Sequence, residues 1–199
     1  MHKCLVLPDP NLELFTDASL TGWGARLQGV STGGHWAASE VSHINLLELK
    51  AVLFGLQSLC NDIHDSHIRI RSDNTTVVAC LNKCGSMKEH LLQLTEEIFL
   101  WASDRGLYLS AAHIPGKQNV DADDASRASY TDAEWMLQPH IFQEICREFS
   151  MPSLDLFATR INAQLDRYVS WKPDPQAYAI DAFILTGVLV FIMGSLLSA

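Results

Sequence analysis

The chain has 199 residues, room for one domain of common size plus an appendage, and its 48% hydrophobic content is ample for a core and argues against large-scale disorder. Lys and Arg number 14 against 23 Asp and Glu, a net charge of −9 that argues against a strong stand-alone nucleic-acid binder, because basic contacts to phosphate dominate that affinity. Cys4, Cys60, Cys80, Cys84 and Cys146 are an odd set with no CxxC pair and no His at zinc-ligand spacing, which reads as reduced thiols rather than a disulfide framework or zinc site.

The start, MHKCLVLPDP, lacks an apolar run long enough for a signal peptide, so an intracellular protein, cytoplasmic or nuclear and not secreted, is expected. LELFTDAS alternates and reads as a strand. WGARLQ and HWAAS are expected as two further strands across Gly-containing turns, with GVSTGG as the hairpin. From Leu46 the apolar positions Leu49, Leu53, Leu56 and Cys60 recur at helical spacing, and Asn45 with Glu48 three residues later marks the helix start. SHIRIRSD is a short strand, Asn74–Asn82 a second helix, LLQLTEEIFLWASDRG a third that Gly106 stops, and LYLSAAHIP the last strand, closed by Pro115 and Gly116. Together these predict an α/β fold with a mixed sheet flanked by helices.

Four acids stand in four different predicted elements: Asp17 in LFTDASLTGWGA, Glu48 in INLLELKAVL, Asp73 in IRIRSDNTTVV and Asp123 in HIPGKQNVDADDASR. Brought together they would repel one another and require cations. Hard oxygen ligands with neither Cys nor His suit Mg²⁺ or Mn²⁺, the equipment of a two-metal phosphodiester-cleaving site. Each acid also has a plainer reading. Asp17 opens a turn; Glu48 is the return partner of a capping box with Asn45; Asp73 is an N-cap; Asp121, Asp123 and Asp124 are a solvated helix start favoured by the dipole, with Asp121 or Asp124 as substitutes for Asp123.

The stretches TDASLTGWGA, HINLLELKAV, SDNTTVVACLN and HIPGKQN(x)DAD(xx)SR resemble the type I ribonuclease H domain, in the version carried by retrotransposons of the DIRS type beside their reverse transcriptase. The later EWMLQP, DLFATRINAQLDRYVSW and PDPQAYAIDAF resemble the segment downstream of the nuclease in those elements, so the likeness runs over residues 12–183. It implies a five-stranded mixed sheet flanked by helices with a C-terminal helical or irregular appendage, and a division into a leader (1–11), a ribonuclease H-like domain (12–129), a connector (130–183) and a hydrophobic tail (184–199).

The activity implied is cleavage of the RNA strand of an RNA–DNA hybrid with two Mg²⁺ or Mn²⁺ ions roughly 4 Å apart, leaving a 3′ hydroxyl and a 5′ phosphate. The residue matching Asp17 bridges both ions, those matching Glu48 and Asp73 complete one site, and the one matching Asp123 completes the other. Ser19, Asn45 and Asn74 are the implied contacts to the hybrid, whose RNA strand is recognised by its 2′ hydroxyls; for Asn45 a capping role is an equal alternative. A reverse transcriptase domain of the parent element is the implied protein partner. Relatives often carry a mobile His in a longer loop before the last Asp. Here Pro115–Val120 is short and has none, His113 is read as structural, and a low turnover is expected.

The alternative is a remnant that keeps the fold and acts at most as a nucleic-acid or protein binding module. An integrase-type nuclease fits less well, since its site ends in a late Glu whereas Glu48 comes second, and polymerase activity is not expected. In the connector, Trp135, Ile141, Ile145 and Phe149 share helical spacing with Pro139 at a start or break. Asp155, Arg160, Asn162, Asp166 and Arg167 suggest a second polar site, with a docking segment as the stronger reading. Residues 182–199 carry no charge, a length at the threshold for a spanning helix. Sequence foreign to the element is the stronger reading there, and a membrane anchor the weaker.

Overall fold

The computed structural model describes residues 9–128, 136–156 and 158–178, together with the backbone of 190–192. It divides into two units, 1–128 and 129–199. In the first, β1 (Leu12–Ala18), β2 (Gly22–Leu27) and β3 (Val30–His35) form an antiparallel meander. Helix α1 (Ile44–Leu59) leads to β4 (His67–Ser72), which lies parallel to β1. Helices α2 (Thr75–Asn82) and α3 (Glu89–Ser103) precede β5 (Tyr108–His113), parallel to β4, and α4 (Val120–Arg127) closes the unit. The sheet order is β3-β2-β1-β4-β5.

The third strand differs from its expected place. The turn is Gln28–Gly29, both at positive φ (49° and 86°), a two-residue turn whose twist suits the flanking strands, and the next strand is VSTGGH. HWAAS instead leaves the sheet: Trp36 is buried and Ala38–Glu40 is a single 3₁₀ turn. The two adjacent glycines in GVSTGG read as a turn, but Gly33 and Gly34 are paired strand residues opposite Gly24 and Trp23.

Helix α1 is buried on nearly every side from Leu47 to Leu56, as befits a helix between a sheet and a second helix layer. The Trp23 ring on β2 meets Phe54 of α1 edge-on at 5.4 Å and fixes the helix against the meander. Its N-cap is His43, whose Nδ1 accepts from the Asn45 amide, so the capping role expected of Asn45 falls earlier, outside the helix. Gly106 sits past α3 at positive φ, where a stop was expected.

In the second unit, Pro139 occupies the first turn of α5 (Pro139–Phe149) and starts it rather than breaking it. Three short strands come next, β6 (Leu154–Leu156), β7 (Tyr168–Val169) and β8 (Val190–Ile192), parallel in the order β7-β6-β8. This small sheet was not expected of a helical or irregular appendage; strands of two or three residues are too short for their alternation to show. Of the five polar residues singled out in the connector, Asp155 accepts from the Gln164 amide at 3.1 Å and Asn162 from the Thr159 amide at 2.6 Å, both buried, while Asp166 and Arg167 are exposed. The buried pair braces its own loop. The tail expected at 184–199 lies outside the described residues apart from the β8 backbone, as does the leader through residue 8 and Trp135. Among the described residues no helix is long and apolar enough to cross a membrane.

Candidate active site

Parallel pairing brings the first two acids together. The register of β1 on β4 ends at Phe15 opposite Arg71, and Asp17 and Asp73 each lie two residues further on, at the carboxyl ends of neighbouring strands, where open α/β sheets place their ligands. Glu48, in the second turn of α1, arrives at the same end of the sheet. One carboxylate oxygen from each of Asp17, Glu48 and Asp73 lies within 4.8 Å of the others.

The trio is unfavourable as a set of bare charges. Asp17 and Glu48 are each only 5% exposed, while Asp73 is the least buried of the three. Burial raises the Asp17 carboxyl to about 6, with the charges of Asp73 and Asp123 adding to the shift and a Ser126 hydrogen bond opposing it. Burial and the neighbouring Asp17 and Asp73 push Glu48 to about 9, although the Ala18 amide donates to it. Its Oε2 is buried with no hydrogen-bond partner. An unpartnered carboxylate oxygen in the core, aimed at two further carboxylates, is poor as a structural element and well suited to a hard divalent cation. An all-oxygen donor set fits Mg²⁺ or Mn²⁺.

Asp123 is not in the trio. It sits on α4, where its Oδ1 accepts from Arg127 Nε at 2.6 Å, although its charge is felt by both Asp17 and Glu48. Asp121 is exposed and ion-paired with Arg26, and Asp124 is exposed and outside the trio. Helix α4 itself is seated on the face of the sheet that carries Asp17. Gly24 is the cross-strand partner of Asp17, and a Cβ built on it would lie 2.1 Å from the Ala122 carbonyl oxygen and 2.6 Å from the Ser126 amide nitrogen, so only glycine permits the helix to come this close. Among the bonds that fasten it, Asn119 Nδ2 donates to the Thr16 carbonyl at 2.9 Å, and Ser126 Oγ donates to Asp17 Oδ2 at 2.7 Å.

The remaining candidates lie around this cluster. Asn45 Oδ1 accepts from Asn74 Nδ2 at 3.0 Å, and Asn74 Oδ1 caps α2 through the Thr76 and Val77 amides at 2.9 and 3.3 Å. The cap of α2 is thus Asn74, which relieves Asp73 of that role. Ser19, in the turn after β1, donates from Oγ to the Ser126 carbonyl at 2.8 Å, and its own carbonyl is held by Trp36 Nε1 at 2.9 Å. The short loop before α4 is a 3₁₀ turn at Gly116–Gln118, with a Gly116 Cβ position only 2.8 Å from Asp73 Oδ2. His113 is exposed at the end of β5. The sequence pattern included Asn119 and Ser126 but gave no role to either, nor to Gly24, and read Gly116 only as closing the last strand; their spacing carries no sign of the contacts they make across the chain.

A family model described as reverse transcriptase-like matches residues 29–129, a span that holds Glu48, Asp73 and Asp123 and begins after Asp17. Among solved structures, the compost-derived LC11 ribonuclease H1 in complex with an RNA/DNA hybrid is 19% identical, with a TM-score of 0.51 over 58% of this chain and 93% of that one. Ribonuclease H1 from the halophilic archaeon Halobacterium salinarum is also 19% identical, with a TM-score of 0.48 over 57% of this chain and 96% of that one. The foamy viral protease-reverse transcriptase in complex with an RNA/DNA hybrid is 14% identical, with a TM-score of 0.39 over 63% of this chain and 21% of that one. No curated protein matches the chain. The fold of the first unit is that of ribonuclease H.

Proposed function

The chain belongs to the reverse transcriptase-like family, and from that premise we propose that it is a metal-dependent endonuclease for the RNA strand of RNA–DNA hybrids, derived from a retrotransposon of the DIRS type. The observation that carries the reading is the convergence of Asp17, Glu48 and Asp73 at the carboxyl ends of β1 and β4, with a buried and unpartnered Glu48 oxygen among them.

Asp17, Glu48 and Asp73 would hold the divalent cations, with Asp123 joining them by leaving Arg127. That ion pair is largely exposed and weakly held, so the exchange costs little. Bound Mg²⁺ or Mn²⁺ would supply a hydroxide nucleophile at neutral pH and charge stabilisation for the departing 3′ oxygen. The protein's part is to keep three carboxylates in one place against their repulsion, at the ends of a strand pair and on a packed helix. Asn45 and Asn74, already bonded to each other beside the trio, present amide groups suited to a sugar edge. Ser19 contributes to the shape of the turn that faces the duplex, its hydroxyl being engaged by the Ser126 carbonyl.

A binding module without turnover is the second reading, favoured by the engagement of Asp123 with Arg127. Labelled hybrid, duplex DNA and duplex RNA, each incubated with Mg²⁺ or Mn²⁺, separate the two. The nuclease cuts the hybrid alone, leaves 5′ phosphates, and loses activity by at least about a hundredfold as Asp17→Asn or Asp73→Asn. A folded protein that binds hybrid and never cuts it belongs to the second reading.

A further inference from the structure

Helix α4 carries a residue in contact with the carboxylate trio that the cation-binding reading does not use. Ser126 is 2% exposed, and its Oγ lies 2.7 Å from Asp17 Oδ2 and 2.9 Å from the Asp123 carbonyl. Both neighbours accept, and the hydroxyl has one proton to give. The shorter bond to a carboxylate is the charge-assisted and stronger of the two.

The position of Ser126 is over-determined. Its amide nitrogen would be 2.6 Å and its carbonyl oxygen 2.9 Å from Cβ atoms built on Gly24 and Gly22, so the helix backbone rests directly on β2. Its carbonyl accepts from Ser19 Oγ at 2.8 Å. The short serine side chain reaches Asp17 only because the glycines let α4 come so close. With Oδ2 engaged by a donor that cannot move, the Asp17 carboxylate loses the free rotation that an acid at a strand end otherwise has, and its other oxygen is held in one direction.

We propose that Ser126 is a positioning residue, a hydrogen-bond donor that fixes the orientation of Asp17 and thereby sets the affinity of the trio for divalent cations. The inference rests on the metal-binding reading of Asp17, Glu48 and Asp73. Outer partners of this kind orient ligands, and their removal costs about 10–100-fold in metal affinity.

The test is calorimetric titration of Mn²⁺ into the full chain, with thermal melts alongside, for the wild type, Ser126→Ala and Asn119→Ala. Asn119 fastens the same helix through a backbone carbonyl and its side chain hydrogen-bonds to none of the trio. Both variants are expected to melt lower than wild type, while only Ser126→Ala binds Mn²⁺ about tenfold or more weakly. Equal Mn²⁺ affinity in Ser126→Ala and wild type, or equal weakening in both variants, overturns the positioning role. Should folded wild type bind no Mn²⁺ at all, the metal reading falls, and this inference with it.

Discussion

At the scale of single residues, carboxylates are kept where they are unstable alone. Asp17 and Glu48 hold their protons more tightly folded than unfolded, with values near 6 and 9 against ordinary ones near 4. Stability from these groups is therefore full below their unfolded values and is lost as pH rises through the folded ones. Between pH 6 and 9, a window between the unfolded and folded values of Glu48, that group alone should cost metal-free protein up to about 1.4 kcal/mol per pH unit. Saturating Mg²⁺ should flatten that slope, since the cation replaces the proton. Urea melts at pH 6, 7.5 and 9, with and without Mg²⁺, measure both effects; a metal-free slope of zero or of opposite sign contradicts the buried cluster. Gly116→Ala acts at the same scale by another route. Its new methyl meets the end of the Asp73 side chain at 2.8 Å, which can swing away, so stability should stay within about 0.5 kcal/mol while divalent-ion affinity falls. A melt and a Mn²⁺ titration on the one variant separate the two quantities. Asp17, Glu48 and Asp73 were legible in the sequence because carboxylates in three elements need a common purpose. Ser126 and Gly116 were not, because their significance is a contact made across the fold.

At the scale of elements, the strong patterns translated and the weak ones did not. Helix α1, the strand at His67–Ser72 and the helix after Asn74 arise from periodicity and capping chemistry. The third strand was displaced because two glycines read as a turn, whereas Gln28–Gly29 makes the turn and Gly33 and Gly34 are paired within the sheet. Glycine in that meander serves close packing. Gly24→Ala tests this, since its methyl would meet the Ala122 carbonyl and Ser126 amide, both backbone, and the helix must lift. The expected cost is about 1–3 kcal/mol, together with loss of the Ser126–Asp17 bond. A variant as stable as wild type would show that α4 is not seated as described.

At the scale of the whole molecule, the first unit contains every candidate site residue and the entire five-stranded sheet. A chain ending at Ala128 is expected to melt in one cooperative transition and to keep its stabilisation by Mg²⁺; failure to fold would mean that the second unit is needed for the first. The likeness to nuclease domains was readable from four ordered motifs, and the fold with it. The second unit was much less so, since buried Asp155 and Asn162 resemble a site in sequence and serve as loop bracing in space. The net charge of −9 concerns the molecule as a whole and limits grip on any nucleic acid, so hybrid binding should be weak even at low salt.

If Asp17, Glu48 and Asp73 act as one cation-dependent cutting site, removing the charge of Glu48, one of its two buried members, must silence it. Cleavage of a hybrid carrying labelled RNA, by wild type beside Glu48→Gln in Mg²⁺ or Mn²⁺, is the decisive experiment. Glutamine keeps the shape of the buried side chain and removes its charge. Wild type is expected to cut the RNA strand in a reaction that EDTA abolishes, and Glu48→Gln to cut nothing while remaining folded and at least as stable without metal. Cutting by Glu48→Gln at the wild-type rate would refute the assignment of the trio as the active site.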